Sequence, residues 1–243
     1  MYLWQTHLEV SDNREDIYPE NPRPNLVNIF SSPRKFVLEV GCSRGATGVY
    51  CKEKFPDVIY WGIEPNQCAA KVASTRLDRV LVGMSSDFNL AEEGVELGQI
   101  DGVIFADVIE HMYNPWKALA DLKPYLAANA EIVTSIPNIR SLWTMNEIAS
   151  GRFTYQHEGL LDITHIRFFT WSEIVEMMRQ CGYRINHLEY GVDSRLWDTY
   201  AAYKDSLPTT VEYGNVAIKN VQDETNLLEL CALQYYSRAV LDQ

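Results

Sequence analysis

Two rhythms of apolar and polar positions alternate along this chain. Short apolar runs at Phe36–Val40, Val58–Glu64, Arg79–Val82, Val103–Ala106 and Glu131–Ile136 have the length and content of buried strands. Helical stretches separate them: Ala46–Phe55, stopped by Pro56, Gln67–Thr75, and a third opening at Asn114. In that third stretch Asn114 is the expected N-cap and Pro115 the first helical residue. Trp116, Leu119, Leu122 and Leu126 then recur at helical spacing. Thr170-Trp171-Ser172-Glu173 predicts a capping box for a helix that buries Ile174, Met177, Met178 and Cys181 and ends at Gly182. Tyr183–Tyr190 and Leu233–Leu241 read as the sixth and seventh strands. Residues 1–33 are polar and proline-rich and read as an N-terminal arm, with a short helix around Asn25–Phe30. Alternating strands and helices predict an α/β fold, a mostly parallel seven-stranded sheet covered on both faces. The main domain is expected over 34–243. The stretch 138–169 is too long for an idle connection and is expected to be a lid or acceptor insertion after the fifth strand.

The chain has 243 residues, 47% apolar and 12% aromatic, enough to bury a large core. Its formal net charge is −12 with no Lys/Arg cluster, which argues against a nucleic-acid partner. The five cysteines are scattered, odd in number and without a C-x-x-C, so neither a disulfide framework nor a cysteine zinc site is expected. They read as reduced core thiols. The opening Met1-Tyr2-Leu3-Trp4-Gln5 does not resemble a secretory signal, and no run reaches membrane-span length. A cytoplasmic location is therefore expected. Nothing in the pattern sets an oligomeric state, and a homodimer is compatible with it.

Ligands of such sheets bind at the carboxyl ends of the strands. Gly41-Cys42-Ser43-Arg44-Gly45-Ala46-Thr47-Gly48 follows the first strand as a tight turn into a helix, suited to close backbone approach by a ligand. Glu64 ends the second strand, where an acid can accept both ribose hydroxyls of an adenosine. Glu39 lies inside the first strand. A carboxylate there would repel a pyrophosphate but suits a ligand carrying an ammonium and a sulfonium, which disfavours a nicotinamide-dependent oxidoreductase.

These residues resemble the class I S-adenosylmethionine-dependent methyltransferases. Val37-Leu38-Glu39-Val40-Gly41-Cys42-Ser43-Arg44-Gly45 is similar to their first motif, and Gly62-Ile63-Glu64 to their ribose-binding acid. Asp101 through His111 is similar to the fourth-strand motif of the subgroup with a Glu-His pair. Gly159 through Thr170 resembles a segment of bacterial methyltransferases associated with polysaccharide and other glycan biosynthesis. Ala232 through Ala239 extends the likeness to about residues 18–241. The resemblance implies a Rossmann-like fold, S-adenosylmethionine as donor and S-adenosylhomocysteine as product. It places Glu39, Gly41, Ser43 and Gly45 at the donor's methionine end, Glu64 at the ribose with Asn66 nearby, and Asp107 beside the sulfonium. Gly83, Met84 and Ser85 would face the adenine, and Tyr18 and Arg23 would close over the amino-acid part. Two positions depart from the family. Ser43 replaces a glycine, so it is expected to avoid a strongly positive φ, and Met84 replaces an acid that commonly receives the adenine amine.

A hydroxyl acceptor must lose its proton, most simply to a histidine. Among five histidines, His165 in the 138–169 stretch is the expected general base and His111, after Glu110, the next. An ion pair of His165 with Asp162 that merely pins the loop is the plain alternative. Trp143, Tyr155, Asp162 and Arg167 are the expected acceptor pocket, with Phe153 and His157 in the same stretch. No metal is assigned. Asp107, Glu110 and His111 form an alternative ligand set, similar to the metal-binding segment of ubiquinone-biosynthesis O-methyltransferases. The expected activity is O-methylation of a sugar hydroxyl in a glycan or nucleotide sugar. The alternatives are a small aromatic, quinone-like or natural-product acceptor, and a module that binds the donor without turnover.

Overall fold

The computed structural model describes residues 20–242, so Tyr18 and most of the expected arm lie outside the described residues. The strands are β1 (Phe36–Val40), β2 (Ile59–Glu64), β3 (Arg79–Val82), β4 (Ile100–Ala106), β5 (Leu126–Pro137), β6 (Tyr183–Val192), β7 (Thr209–Tyr213), β8 (Val216–Val221) and β9 (Ala232–Leu241). Seven of them form one sheet in the order β3-β2-β1-β4-β5-β9-β6, and β7 and β8 form a separate hairpin. Neighbours from β3 to β5 are parallel, and β9 runs antiparallel between β5 and β6. The expected Rossmann-like, mostly parallel sheet is what forms. Its winding reverses between β1 and β4, which opens a crevice at their carboxyl ends.

Every residue of β1 is buried, the mark of a strand covered on both faces. Side chains alternate between the two layers. Val37, Tyr60, Ile104 and Val133 pack beneath helices α1 (Pro24–Ile29), α2 (Ala46–Lys54) and α3 (Gln67–Ala73). Leu38, Val40, Val103 and Phe105 pack against α4 (Pro115–Leu122) and, beyond α5 (Leu142–Ala149), α6 (Trp171–Gln180). Asn114 caps α4 as expected, its side chain accepting from the Lys117 N–H at 3.0 Å. Thr170 precedes α6 but makes no cap. Its hydroxyl lies 3.0 Å from that of Ser172, so the expected capping box is absent.

Residues expected in the arm are partly core: Leu26, Val27 and Ile29 of α1 are buried against the sheet. A larger departure lies between β6 and β9. There the sequence reading finds no elements, yet the chain forms α7 (Trp197–Tyr203), the β7–β8 hairpin and α8 (Glu224–Cys231). With α5 they enclose a satellite core of Leu142, Leu196, Val211, Val221, Leu227, Leu230 and Cys231. Each piece is short and contributes at most three buried residues, α7 none, so none carries a readable period alone. Four of the five cysteines are buried and all are free. Among the described residues no helix is long and apolar enough to cross a membrane.

Candidate functional site

The loop after β1 is shaped by backbone demands. Gly41 sits at φ +74°, and a Cβ there would fall 2.4 Å from Val108 Cγ2. Ser43 also takes a positive φ, 49°, against expectation. The value lies at the edge of the left-handed region, which non-glycine residues reach at modest cost. Its N–H donates to Glu64 Oε2 at 2.8 Å, which holds it there.

Glu39 is buried beneath this loop, on the α2 side of the sheet. Tyr60 donates to its Oε2 at 2.9 Å, and the Thr47 hydroxyl is a second partner. Burial pushes its pKa up to about 7, with those hydrogen bonds opposing and the charge of Glu64 adding. A cation nearby would hold it ionised. Glu64 is equally buried, and its second oxygen accepts from the Asn66 N–H at 2.8 Å. Burial raises its pKa, while the two backbone N–H groups oppose the rise. Asn66 is the N-cap of α3, accepting from Ala69 N–H at 2.9 Å. After β3, Met84 is half exposed at 51%. Three residues on, Asp87 Oδ2 accepts from the Met84 N–H at 2.8 Å, beside Ser85.

Asp107 follows β4 at φ 56°, in the left-handed region that aspartate enters more readily than most non-glycine residues. Its carboxylate is fully engaged. Arg23 from the segment before α1 donates to Oδ2, and Ser135 (2.8 Å) and Gln234 donate to Oδ1. Arg23 also donates its backbone N–H to Thr47 Oγ1 at 3.3 Å, so it spans the crevice between the β1 and β4 ends.

The 3₁₀ turn Ile109–His111 follows directly and carries the second half of the site. The Glu110 carbonyl accepts from the N–H groups of Ile166 (3.1 Å) and Arg167 (3.0 Å), which ties the 160–167 loop to the turn. His165 is thereby brought to Glu110, its Nε2 lying 3.8 Å from Oε1. Its Nδ1 faces the Leu160 carbonyl at 3.3 Å, and its ring meets that of His111 edge-on, centroids 4.7 Å apart. Asp162 does not pair with His165. It accepts from the hydroxyl (2.6 Å) and N–H (2.7 Å) of Thr164, and Thr164 Oγ1 lies 3.1 Å from His111 Nδ1. Glu110 is only 1% exposed, and among the described residues neither carboxylate oxygen has a hydrogen-bond partner. Burial, followed by the charges of Asp107 and Asp162, raises its pKa well above the usual range. Burial and the neighbouring His111 lower that of His165.

A family model described as a methyltransferase domain matches residues 5–188 of this sequence. The chain belongs to the methyltransferase domain family. Its fold is that of S-adenosylmethionine-dependent methyltransferases. An S-adenosylmethionine-dependent methyltransferase from Thermotoga maritima, described as a possible histamine N-methyltransferase, is similar at 16% identity and TM-score 0.57, over 89% of this chain and 86% of that one. One from Archaeoglobus fulgidus is similar at 18% identity and TM-score 0.56, over 85% and 86%. A Burkholderia thailandensis 1,6-didemethyltoxoflavin-N1-methyltransferase, with its substrate and S-adenosylhomocysteine bound, is similar at 13% identity and TM-score 0.53, over 90% and 76%. No curated protein matches the sequence.

In this methyltransferase domain the expected donor residues Glu39, Gly41, Ser43, Gly45, Glu64 and Asn66 lie at the ends of β1 and β2 or on the loops that follow. His111 and His165 come together although 54 positions separate them. The expected acceptor pocket divides. Trp143 packs on the satellite core with the Arg195 guanidinium 3.9 Å from its ring centroid, whereas Tyr155 joins an exposed cluster with Phe153 and Phe168. Arg167 donates to the Tyr113 carbonyl and lies over its ring. Sequence reasoning missed Asp87, Ser135, Gln234 and Thr164. Ser135 and Gln234 act through contacts distant in sequence, whereas Asp87 and Thr164 act through short local turns.

Proposed function

We propose that this methyltransferase domain moves the methyl group of S-adenosylmethionine onto a hydroxyl oxygen, and that the hydroxyl belongs to a sugar in a glycan or nucleotide sugar. The carrying observation is the adjacency of two unlike sites at the crevice. A buried carboxylate hydrogen-bonded by Tyr60 and Thr47 lies under the β1 loop, and a largely buried Glu–His–His cluster lies just past β4. Glu39 suits the donor's cationic amino-acid end and Glu64 its ribose. Asp87, beside Met84 and Ser85, takes the adenine amine. Arg23, now bonded to Asp107, takes the donor's carboxylate. The methyl carbon then points past Asp107 toward the cluster.

The transfer is an in-line displacement. The acceptor oxygen bonds the methyl carbon as the carbon–sulfur bond breaks, and the electron pair goes to sulfur, leaving neutral S-adenosylhomocysteine. Alignment supplies the larger share of the rate, up to about 7–11 kcal/mol. The acceptor proton leaves at the cluster, to His165 Nε2 while that lone pair is free. The lowered pKa of His165 keeps the ring neutral and able to accept at neutral pH. The exposed rings of Phe153, Tyr155 and Phe168 offer faces on which a sugar can stack. The same rings favour a planar natural-product acceptor as the second reading.

Radiolabelled S-adenosylmethionine offered with a panel of oligosaccharides, nucleotide sugars, phenols and heteroaromatics tests both. Label transferred to a sugar hydroxyl supports the main reading. Transfer to ring oxygen or nitrogen alone replaces it with the second. Donor binding without turnover on any acceptor would identify a non-catalytic module.

A further inference from the structure

Glu110, His111 and His165 each turn one potential ligand atom toward a common space. One carboxylate oxygen of Glu110 and one ring nitrogen of each histidine lie within 4.8 Å of one another. The His165 Nδ1 faces a carbonyl oxygen, which can only accept, so Nδ1 carries the proton and Nε2 presents a lone pair toward Glu110. A carboxylate at 1% exposure with neither oxygen bonded adds further lone pairs to the same space. Lone pairs turned toward each other in a buried site repel, and the arrangement is stable only with positive charge between them. A shared proton closes it poorly, because the 3.8 Å between Nε2 and Oε1 exceeds hydrogen-bond length.

We infer that Glu110, His111 and His165 bind a divalent first-row transition ion. Bonds of about 2.0–2.2 Å place ligand atoms roughly 3–4 Å apart, so the three side chains need close by only about 1 Å. Two imidazoles and one carboxylate select a transition ion over magnesium or calcium, which prefer all-oxygen shells. The supporting contacts are those of ligating histidines: a carbonyl holds His165, and the Asp162–Thr164 pair holds His111. Asp107 is excluded from the set, since Arg23, Ser135 and Gln234 already engage both its oxygens. Three protein ligands leave positions open for water and an acceptor oxygen. This inference rests on the proposal that the acceptor is methylated here, and it changes the agent that ionises the acceptor. An ion lowers the hydroxyl's pKa so that the proton passes to water, and the histidine lone pairs hold the ion instead of taking the proton.

The test uses Co2+, added to the full chain after chelator treatment and followed by visible absorption and calorimetry. One equivalent should bind with d–d bands of an N/O site. Glu110→Gln and His165→Ala should each weaken uptake at least about tenfold, while Asp107→Asn leaves it within about threefold. Calorimetry with S-adenosylhomocysteine shows whether each variant is folded and whether the donor reading stands, independently of Co2+. Wild-type protein that binds S-adenosylhomocysteine but takes up no Co2+ overturns the metal site and leaves methyl transfer intact. Uptake undiminished in folded Glu110→Gln overturns it equally, and uptake lost in Asp107→Asn would restore the ligand set that includes Asp107.

Discussion

Glu64 and Glu110 are buried to nearly the same degree, at 2% and 1% exposure, yet their surroundings are opposite. Each oxygen of Glu64 accepts a backbone N–H, one from the β1 loop and one from the turn into α3. Neither oxygen of Glu110 accepts a hydrogen bond among the described residues; its nearest base, His165, stands off at 3.8 Å. On the proposed donor side, Glu64 is thus satisfied as folded and doubles as a brace for the loop. The acceptor side carries an unmet electrostatic demand, held in place because the backbone of the same residue ties down the 160–167 loop. A buried polar group left unpaired costs about 1–3 kcal/mol, so the second arrangement persists at the expense of stability. Such a debt is characteristic of sites whose charge is balanced only during function.

The sharpest break between the two sides should appear in kinetics. His165→Ala should lower kcat for the identified acceptor by about 10²–10⁴-fold while the affinity for S-adenosylhomocysteine changes by less than about threefold. Steady-state rates and calorimetry on the same preparation check this. A comparable loss of donor affinity would mean that His165 supports the whole crevice and not the acceptor half alone.

Stability should separate the two carboxylates by sign. Glu64→Met orphans two backbone N–H groups and is expected to cost about 1–3 kcal/mol. Glu110→Met removes an unpartnered buried carboxyl and is expected to stabilise by about 1–2 kcal/mol. For a domain of this size each kcal/mol moves Tm by roughly 2–4 °C, within easy reach of scanning calorimetry. A fall in Tm for both variants would show that Glu110 is satisfied in solution.

The donor side was legible in the sequence because its physics is local. A strand ending at Gly41, a turn, a helix and an acid closing the next strand lie within one supersecondary unit, and each residue type is dictated by neighbours a few positions away. Even there the reading erred where tertiary contacts decide. Ser43 takes a positive φ because Glu64 receives its N–H, and the acid that orders the turn after β3 is Asp87, which accepts from the Met84 N–H. The acceptor side was half legible. His111 and His165 were singled out, but the partner of His165 is Glu110 and not Asp162, because the loop docks through the Glu110 carbonyl. The satellite core was not legible at all. Its helices and hairpin bury their few apolar residues only against one another, and Trp143 is drawn into that core by Arg195 and away from the Phe153–Tyr155–Phe168 cluster.

The smallest effect should be the pH response of Glu39, whose pKa of about 7 lies above its ordinary value because of burial. For an acid raised in this way, the folded state holds a proton that the unfolded chain has already released between about pH 4.5 and 7. The stability contributed by Glu39 is therefore full below about pH 4.5 and lost as pH rises through about 7. Donor binding should run the other way. A ligand bearing an ammonium prefers the ionised carboxylate, so affinity for S-adenosylhomocysteine should rise with pH, by roughly tenfold between about pH 5.5 and 7.5, with proton release on binding. Calorimetry in buffers of different ionisation enthalpy measures both the affinity and the proton count. Glu39→Gln should flatten the profile and abolish the released proton. A wild-type profile that is already flat would place the ammonium away from Glu39 and leave Glu39 as a purely structural acid held by Tyr60 and Thr47.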